Sequence, residues 1–377
     1  MIYSYLKQLK LRLQFTGWLQ YIPTGLLALI LLFIAKIISI LGYVSVAFVF
    51  GLVAVLLLTI LIFDLVTVKL HLHPKERLPE RNYNMDIFDL MRSRRSCRSF
   101  QKRKLTPADH EEIMKSVGVN SEMTSSTMFG KEPIRFEYIA EKLTVWPVVG
   151  ASEFIVAIAP KTYNRLAVID IGHSLQKVVV EATRLGVATC WIGPGADQSS
   201  IVKHLRNRFD PDNDHIICVC AVGYKSWYKP LMLRLIQKIQ RNRLPLSSLF
   251  YADSYFENSL GVEASPFNQF GRCYEVCQWS PSAFNGQTTR CVCVTEKKGD
   301  VTEEEISVVR FDFYAATKSR FYAAVALGIW CANWELGCMA LGIRGHFTVL
   351  TAEERMVHRN KTDQELPRYD ISWVLEK

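Results

Sequence analysis

Several arrangements that mark common enzyme classes are missing from this chain. It has no recognisable Ser-His-Asp set, no His-Glu-x-x-His helix and no Walker lysine. Triad acyl transfer, zinc proteolysis and P-loop phosphoryl transfer therefore have no residues to carry them. No aromatic-interleaved basic motif of an RNA-binding module occurs either, and nucleic acid is not an expected partner. Ten cysteines are present, yet they lack the layout of a disulfide framework. Cys218 and Cys220 sit in an apolar run, and Cys291 and Cys293 alternate with valines, as small buried residues of core strands do. Cys273 and Cys277 have no second pair nearby, and His71 and His73 read as interfacial side chains, so no metal site is expected. Reduced thiols facing the cytosol are the expectation. Acidic residues are outnumbered, 36 Asp and Glu against 45 Lys and Arg, for a net charge of +9.

Long apolar runs are what the chain does have. Residues 22–41 and 43–65 are each about the twenty residues needed to cross a bilayer, with Gly42 between them. They read as a tight helical hairpin, Lys36 lying close enough to the turn to snorkel. A second span follows the first at once, which argues against a cleaved signal peptide. Lys7, Lys10 and Arg12 precede the hairpin and a dense set from Lys69 to Lys104 follows it, so the positive-inside rule places both termini and the soluble part on the cytoplasmic side. The expected organisation is a basic segment with the hairpin over 1–68, a linker over 69–84, and two halves over 85–250 and 251–377. The lipid bilayer is thus an expected partner.

Beyond the linker stands Arg94-Arg95-Ser96-Cys97-Arg98-Ser99-Phe100. Three guanidinium groups and two hydroxyls within seven residues suit a phosphate, because arginine offers a planar fork of permanently charged donors. A basic cluster touching anionic lipid is the other reading of the same residues. Cys97 reads as a filler between the arginines. The pattern further along predicts a helix over 85–93 and another opened by Thr106-Pro107-Ala108-Asp109, with Thr106 as cap. Strands are expected over 134–139, 154–159 and 216–222, and a long helix over 167–185 closed by Gly186. Val187–Ile192 then leads into Gly193-Pro194-Gly195. The run Glu303-Glu304-Glu305 after Thr302 reads as the start of a helix. This order describes an α+β domain around a central sheet.

Arg-Arg-Ser-x-Arg-x-Phe after a short helix, then the helix over 170–186, then Cys190-Trp191-Ile192-Gly193-Pro194-Gly195, resembles the FMN-dependent nitroreductase family. The resemblance implies that Arg94, Arg95, Ser96 and Arg98 hold the flavin phosphate. It also implies that Gly193, Pro194 and Gly195 lie along the flavin ring, with backbone donors near N5. Arg241-Asn242-Arg243-Leu244-Pro245-Leu246 resembles a later basic segment of the family, which adds Arg241 and Arg243 to the phosphate set.

The family also needs a Pro-Ser-x-x-Asn-x-Gln element, which ordinary dimeric members take from the neighbouring subunit. At its place in the first half, Gly130 stands for the asparagine and Glu132 for the glutamine. The intact version comes later, in Trp279-Ser280-Pro281-Ser282-Ala283-Phe284-Asn285-Gly286-Gln287, where no arginine motif precedes it. An amide pair suits a flavin edge because each amide donates and accepts. Leu185-Gly186 followed by Ile192 matches Leu336-Gly337 followed by Ile343 at the same spacing, a weak internal repeat. The chain thus resembles the tandem nitroreductase subgroup, a single-chain pseudo-dimer of two half-repeats. That implies one flavin site per chain, a dead second site, and no need for a homo-oligomer. Ser282, Asn285 and Gln287 complete the expected site.

The activity implied is transfer of hydride from NAD(P)H to the flavin, then from flavin N5 to a nitroaromatic, quinone or related small-molecule acceptor in a ping-pong cycle. No dedicated side-chain acid or base is needed, and His173 and His346 read as packing or surface residues. Two other readings share the fold: reductive dehalogenation or flavin fragmentation, and a flavin-binding membrane sensor or scaffold without turnover.

Overall fold

The computed structural model describes residues 9, 13–14, 17–121, 129–143, 145–193, 195–239, 242–298, 305–355 and 366–376. Helix α1 (Ile22–Ile40) and helix α2 (Val44–Asp64) form an antiparallel hairpin. The turn between them depends on Gly42, whose φ of +88° a side chain would strain. Leu26, Leu29, Phe33, Phe48, Leu52 and Leu56 all face outward. An apolar surface of that extent suits hydrocarbon rather than water. Both helices are long and apolar enough to cross a bilayer, with mean hydropathy of 2.2 and 3.1, the second counted to Lys69.

The first half opens with α3 (Ile87–Ser93), capped by the Asp86 carboxylate, which accepts from Asp89 N at 2.7 Å. Helix α4 (Pro107–Ser121) begins as its sequence predicts, with Asp109 N donating to Thr106 Oγ1 at 3.2 Å. Strands β1 (Arg135–Ile139) and β2 (Glu153–Pro160) are followed by α5 (Arg165–Arg184), β3 (Ala188–Ile192), α6 (Gln198–Leu205), β4 (Asp214–Gly223) and α7 (Leu231–Ile239). The four strands make one antiparallel sheet in the order β1-β2-β4-β3.

The second half contains β5 (Phe250–Tyr251), α8 (Cys273–Gln278), β6 (Thr289–Lys298), β7 (Glu305–Ala315), α9 (Tyr322–Ala340), β8 (Gly345–Thr348) and β9 (Arg368–Leu375). Its sheet runs β5-β6-β7-β9-β8. Without β5 this is the order and the antiparallel pairing of the first sheet, with the long helix again placed between the second and third strands of the chain order. Two half-repeats therefore make one nitroreductase-like α+β unit. Strand β5 is an addition to this repeat, and it pairs with β6 in parallel.

The halves meet where α5 packs on α9. A Cβ on Gly172 would lie 2.3 Å from Val325 O, and one on Gly328 would lie 2.0 Å from Ile169 O, so the two helices touch backbone to backbone. Arg165 reaches across to Asp370 with two bonds of 2.5 and 2.7 Å, both side chains buried. Helix α9 also has the length and composition of a membrane span, yet most of it is buried in this packing.

Two expectations need correction. Helix α9 does not close at Leu336-Gly337; it runs on to Ala340 and ends at Leu341 and Gly342, whose φ of +72° matches the +74° of Gly186. The true repeat therefore aligns Leu185-Gly186 with Leu341-Gly342, and on that alignment Gly172 falls on Gly328. Gly337 is instead a close-packed glycine against Cys273 and Phe88. Glu305 begins β7 rather than a helix, while Thr302, Glu303 and Glu304 lie outside the described residues. Ile306, Val308 and Phe311 pair into the sheet, and that cross-strand register outweighs a short acidic signal.

Candidate functional site

A cavity of about 810 Å³ opens between the halves. Arg94, Arg95, Ser96 and Arg98 wall it from the turn after α3, Gly193 from the end of β3, and Arg243, Ser282 and Asn285 from the far side. The turn is held in place by β3, with Cys97 N donating to Thr189 O at 2.8 Å, and by the Phe100 amide donating to Val149 O at 2.9 Å. Arg94 is buried, and its Nε and Nη1 have no hydrogen-bond partner among the described residues. Burial, then the nearby charges of Arg243 and Arg95, pushes this guanidinium down to about 10. A buried cation with unsatisfied donors is costly unless an anion meets it.

Trp279 links the two halves of this wall. The Arg95 guanidinium lies 4.7 Å from its ring centre and that of Arg243 lies 5.3 Å away. Arg243 donates to Ser280 O at 3.1 Å, Trp279 O at 3.3 Å and Asn285 Oδ1 at 2.9 Å. Burial and the charge of Arg95 lower its pKa to about 10. Asn285 Nδ2 donates to Asn242 O at 2.8 Å, and Gln287 Oε1 accepts from Leu244 N at 2.8 Å. The amide pair thus fixes the backbone that carries Arg243. Gln287 is not part of the cavity wall, and it acts there through residues 242–244.

Gly195 also stays out of the cavity. A Cβ there would meet Trp146 O at 1.8 Å, so its glycine is required by backbone packing. At Gly193 the nearest neighbour of a Cβ would be the Tyr322 ring, 3.1 Å away. Pro194 and Arg241 lie outside the described residues. Cys97 is buried, its thiol pushed up to about 12 by desolvation, so it stays protonated and unreactive. Trp191, Tyr322, Ala326, Ile329, Gln237 and Trp227 also line the cavity. Trp191 belongs to the motif at the end of β3, whereas the other five carry no motif, because α7, the segment before it and α9 reach the cavity only through the way the halves dock.

The pseudo-symmetric position is filled. By the corrected repeat, Asp170, His173 and Phe347 occupy the places of Ala326, Ile329 and Trp191, and by the match of Gly130 to Asn285 in the degenerate element Phe129 takes the place of Phe284. Phe129 lies 5.0 Å from the His173 ring and 5.2 Å from Phe347, which leaves no comparable opening there among the described residues. The Asp170 carboxylate accepts from Phe129 N and Gly130 N, each at 2.8 Å. A Cβ on Gly130 would lie 2.5 Å from Ala167 N, so the asparagine of the intact element has no room here. Ser126–Met128 of this degenerate element lie outside the described residues.

The family model described as "Putative TM nitroreductase" matches residues 86–337. The chain belongs to this nitroreductase family. Among solved structures, it is similar to the "putative nitroreductase" of Thermotoga maritima at 16% identity and a TM-score of 0.46, covering 80% of this chain and 99% of that one. A nitroreductase family protein of Clostridium difficile is 22% identical with a TM-score of 0.33, covering 43% of this chain and 95% of that one. A nitroreductase of Bacteroides fragilis crystallised with bound FMN is 16% identical with a TM-score of 0.31, covering 38% and 89%. No curated protein matches the chain.

Proposed function

We propose that this nitroreductase-family chain is a membrane-anchored, FMN-dependent oxidoreductase that uses NADH or NADPH to reduce a nitroaromatic, quinone or related acceptor. The observation that carries the reading is Arg94: a buried guanidinium with unsatisfied donors, beside Arg95 and Arg243, in the wall of a cavity large enough for a flavin nucleotide. A phosphate there would neutralise the cluster and take the free donors. Arg98, the Ser96 hydroxyl and Arg241 complete the phosphate set on this reading. FMN would supply the hydride chemistry.

The chain's own residues do the rest. The Trp279 ring lies beside both Arg95 and Arg243, and these cation–π contacts would help keep two neighbouring guanidinium groups at the wall where the anion binds. Asn285 and Gln287 fix residues 242–244, and Ser282 lies in the wall. Gly193 and Pro194 would lie against the ring, with Gly195 setting the loop's path. Trp191, Tyr322 and Ile329 give an apolar wall that excludes water from hydride transfer. One flavin per chain follows from the filled second position, and no homo-oligomer is required. The hairpin anchors the protein in a membrane, with the folded part and the N-terminus on the cytoplasmic side.

The test is the visible spectrum of detergent-purified protein, with the acid-released cofactor identified and NADH or NADPH oxidation followed with a nitroaromatic or quinone. A yellow protein that releases FMN and turns over is expected. A colourless protein that FMN cannot reconstitute would remove the reading, whereas bound FMN without turnover would leave a flavin-binding membrane protein.

A further inference from the structure

We infer that the acceptor is a lipid-soluble molecule that enters the cavity from the bilayer, over α7 and Trp227. The inference rests on the membrane-anchored flavoenzyme reading and names its substrate class. Helix α7 starts where α2 ends: Leu231 N donates to Asp64 Oδ2 at 2.7 Å, and Arg234 Nη2 stands 3.8 Å from Asp64 Oδ1. The Phe63 and Tyr228 rings lie 6.3 Å apart, and α7 touches both hairpin helices. The level at which α2 leaves the hydrocarbon is therefore the level of α7.

The outward face of α7 is apolar. Leu235 and Ile239, one turn apart, are 52% and 75% exposed, while Leu233 is buried on the opposite side. Arg234 and Lys238 flank this face and are exposed. Apolar side chains bordered by cations at the end of a spanning helix fit the headgroup region of an anionic leaflet. Trp227, 84% exposed, adds an indole of the type enriched at that depth. The inner side of the same segment belongs to the cavity. Trp227, Lys229 and Gln237 line it, and Gln237 Nε2 donates to Ser96 O at 3.2 Å in the arginine turn. Glu76 of the linker fixes the lip, its carboxylate accepting from Trp227 N at 2.6 Å and Ser226 Oγ at 2.8 Å. One short segment thus meets the bilayer on one side and the phosphate turn on the other.

The step itself balances with what the proposed activity supplies. FMN would pass the two electrons supplied by NAD(P)H to a quinone as a hydride, a proton from water would complete the quinol, and those two electrons would leave in the quinol as the cofactor returned to its oxidised form.

The experiment uses the full chain in phosphatidylcholine vesicles containing a minority of phosphatidylserine. Two probes are compared: a quinone with a long isoprenoid tail and a tail-less, water-soluble quinone. The L235E/I239E variant is expected to lose at least about tenfold in kcat/KM for the tailed probe and to stay within about twofold for the tail-less one. Equal loss with both probes, or no loss with either, overturns the inference. A second readout needs no turnover. All ten native cysteines are buried, so Ile239→Cys can be labelled selectively with a polarity-sensitive fluorophore. Quenching by nitroxide lipid is expected; quenching by aqueous iodide alone, or by neither agent as under a protein partner, overturns it. A flavin-loaded chain that reduces only the tail-less quinone defeats the entry route and leaves the proposed activity standing. A chain without flavin defeats the activity itself.

Discussion

Arg94 and Asp170 are buried charged residues at the two related ends of the molecule, and they make opposite demands. Arg94 keeps donors without partners and gains from an anion that the chain itself does not provide. Arg94→Met should therefore lower FMN affinity by about 10- to 100-fold, for loss of charge-assisted bonds worth roughly 1.5–3 kcal/mol. The flavin-free variant should melt higher than flavin-free wild type, because a buried unpaired charge has gone. Fluorescence titration and calorimetry check both, and a lower melting temperature would mean that Arg94 already has a partner in the free protein. Asp170 is satisfied from within by two backbone amides, yet burial outweighs them and lifts its pKa to about 6. A carboxyl harder to ionise folded than unfolded gives stability that is complete below the unfolded value of 3.8 and is lost as pH rises through about 6. The advantage of wild type over Asp170→Asn should thus be largest below pH ~3.8 and shrink by about 3 kcal/mol by pH ~7, read from denaturation at each pH.

Helices α5 and α9 carry the contact between the halves, and their glycines decide how close it is. In an isolated helix Gly→Ala adds about 1 kcal/mol of stability. At Gly172 and Gly328 the sign reverses, since a Cβ would sit within 2.3 Å of a carbonyl oxygen of the facing helix. Each Gly→Ala change should destabilise by about 1–3 kcal/mol and widen the cavity walled by Tyr322, Ala326 and Ile329 of α9. Urea unfolding measures the first effect and flavin affinity the second. Local chemistry made the end of α5 readable in the sequence, where Gly186 stops it, while its Asn164 cap, which accepts from Leu166 N and Ala167 N, lies just ahead of the expected start at residue 167. Helix α9 was harder to read, because it is apolar on nearly every side and Gly337 resembles a stop signal while admitting Cys273 and Phe88.

The whole molecule is a tandem in which each half supplies what the other has given up. The arginine turn comes from the first half, while Trp279, Ser282 and Asn285 come from the second, and both sets border one cavity. Detergent-solubilised monomer should accordingly bind one FMN per chain. Asn285→Ala should weaken that binding by about tenfold without any change in oligomeric state, because Arg243 loses the acceptor that aims it. Light scattering with flavin quantification checks this, and a stoichiometry of two would contradict the filled second position.

The residues themselves determined the hairpin, the cationic turn and the missing asparagine at position 130, because each depends on the chemistry of a few neighbours along the chain. Apolar length specifies a span, clustered guanidinium groups specify an anion, and capping residues specify helix ends. Only the tertiary structure decided that Gly195 and Gln287 stand behind the cavity wall, that the repeat runs from Gly186 to Gly342, and that α7 joins the end of α2 to the arginine turn. Those facts are set by how closely two backbones approach and by which side chains fill the space between the halves. No local pattern encodes such distances.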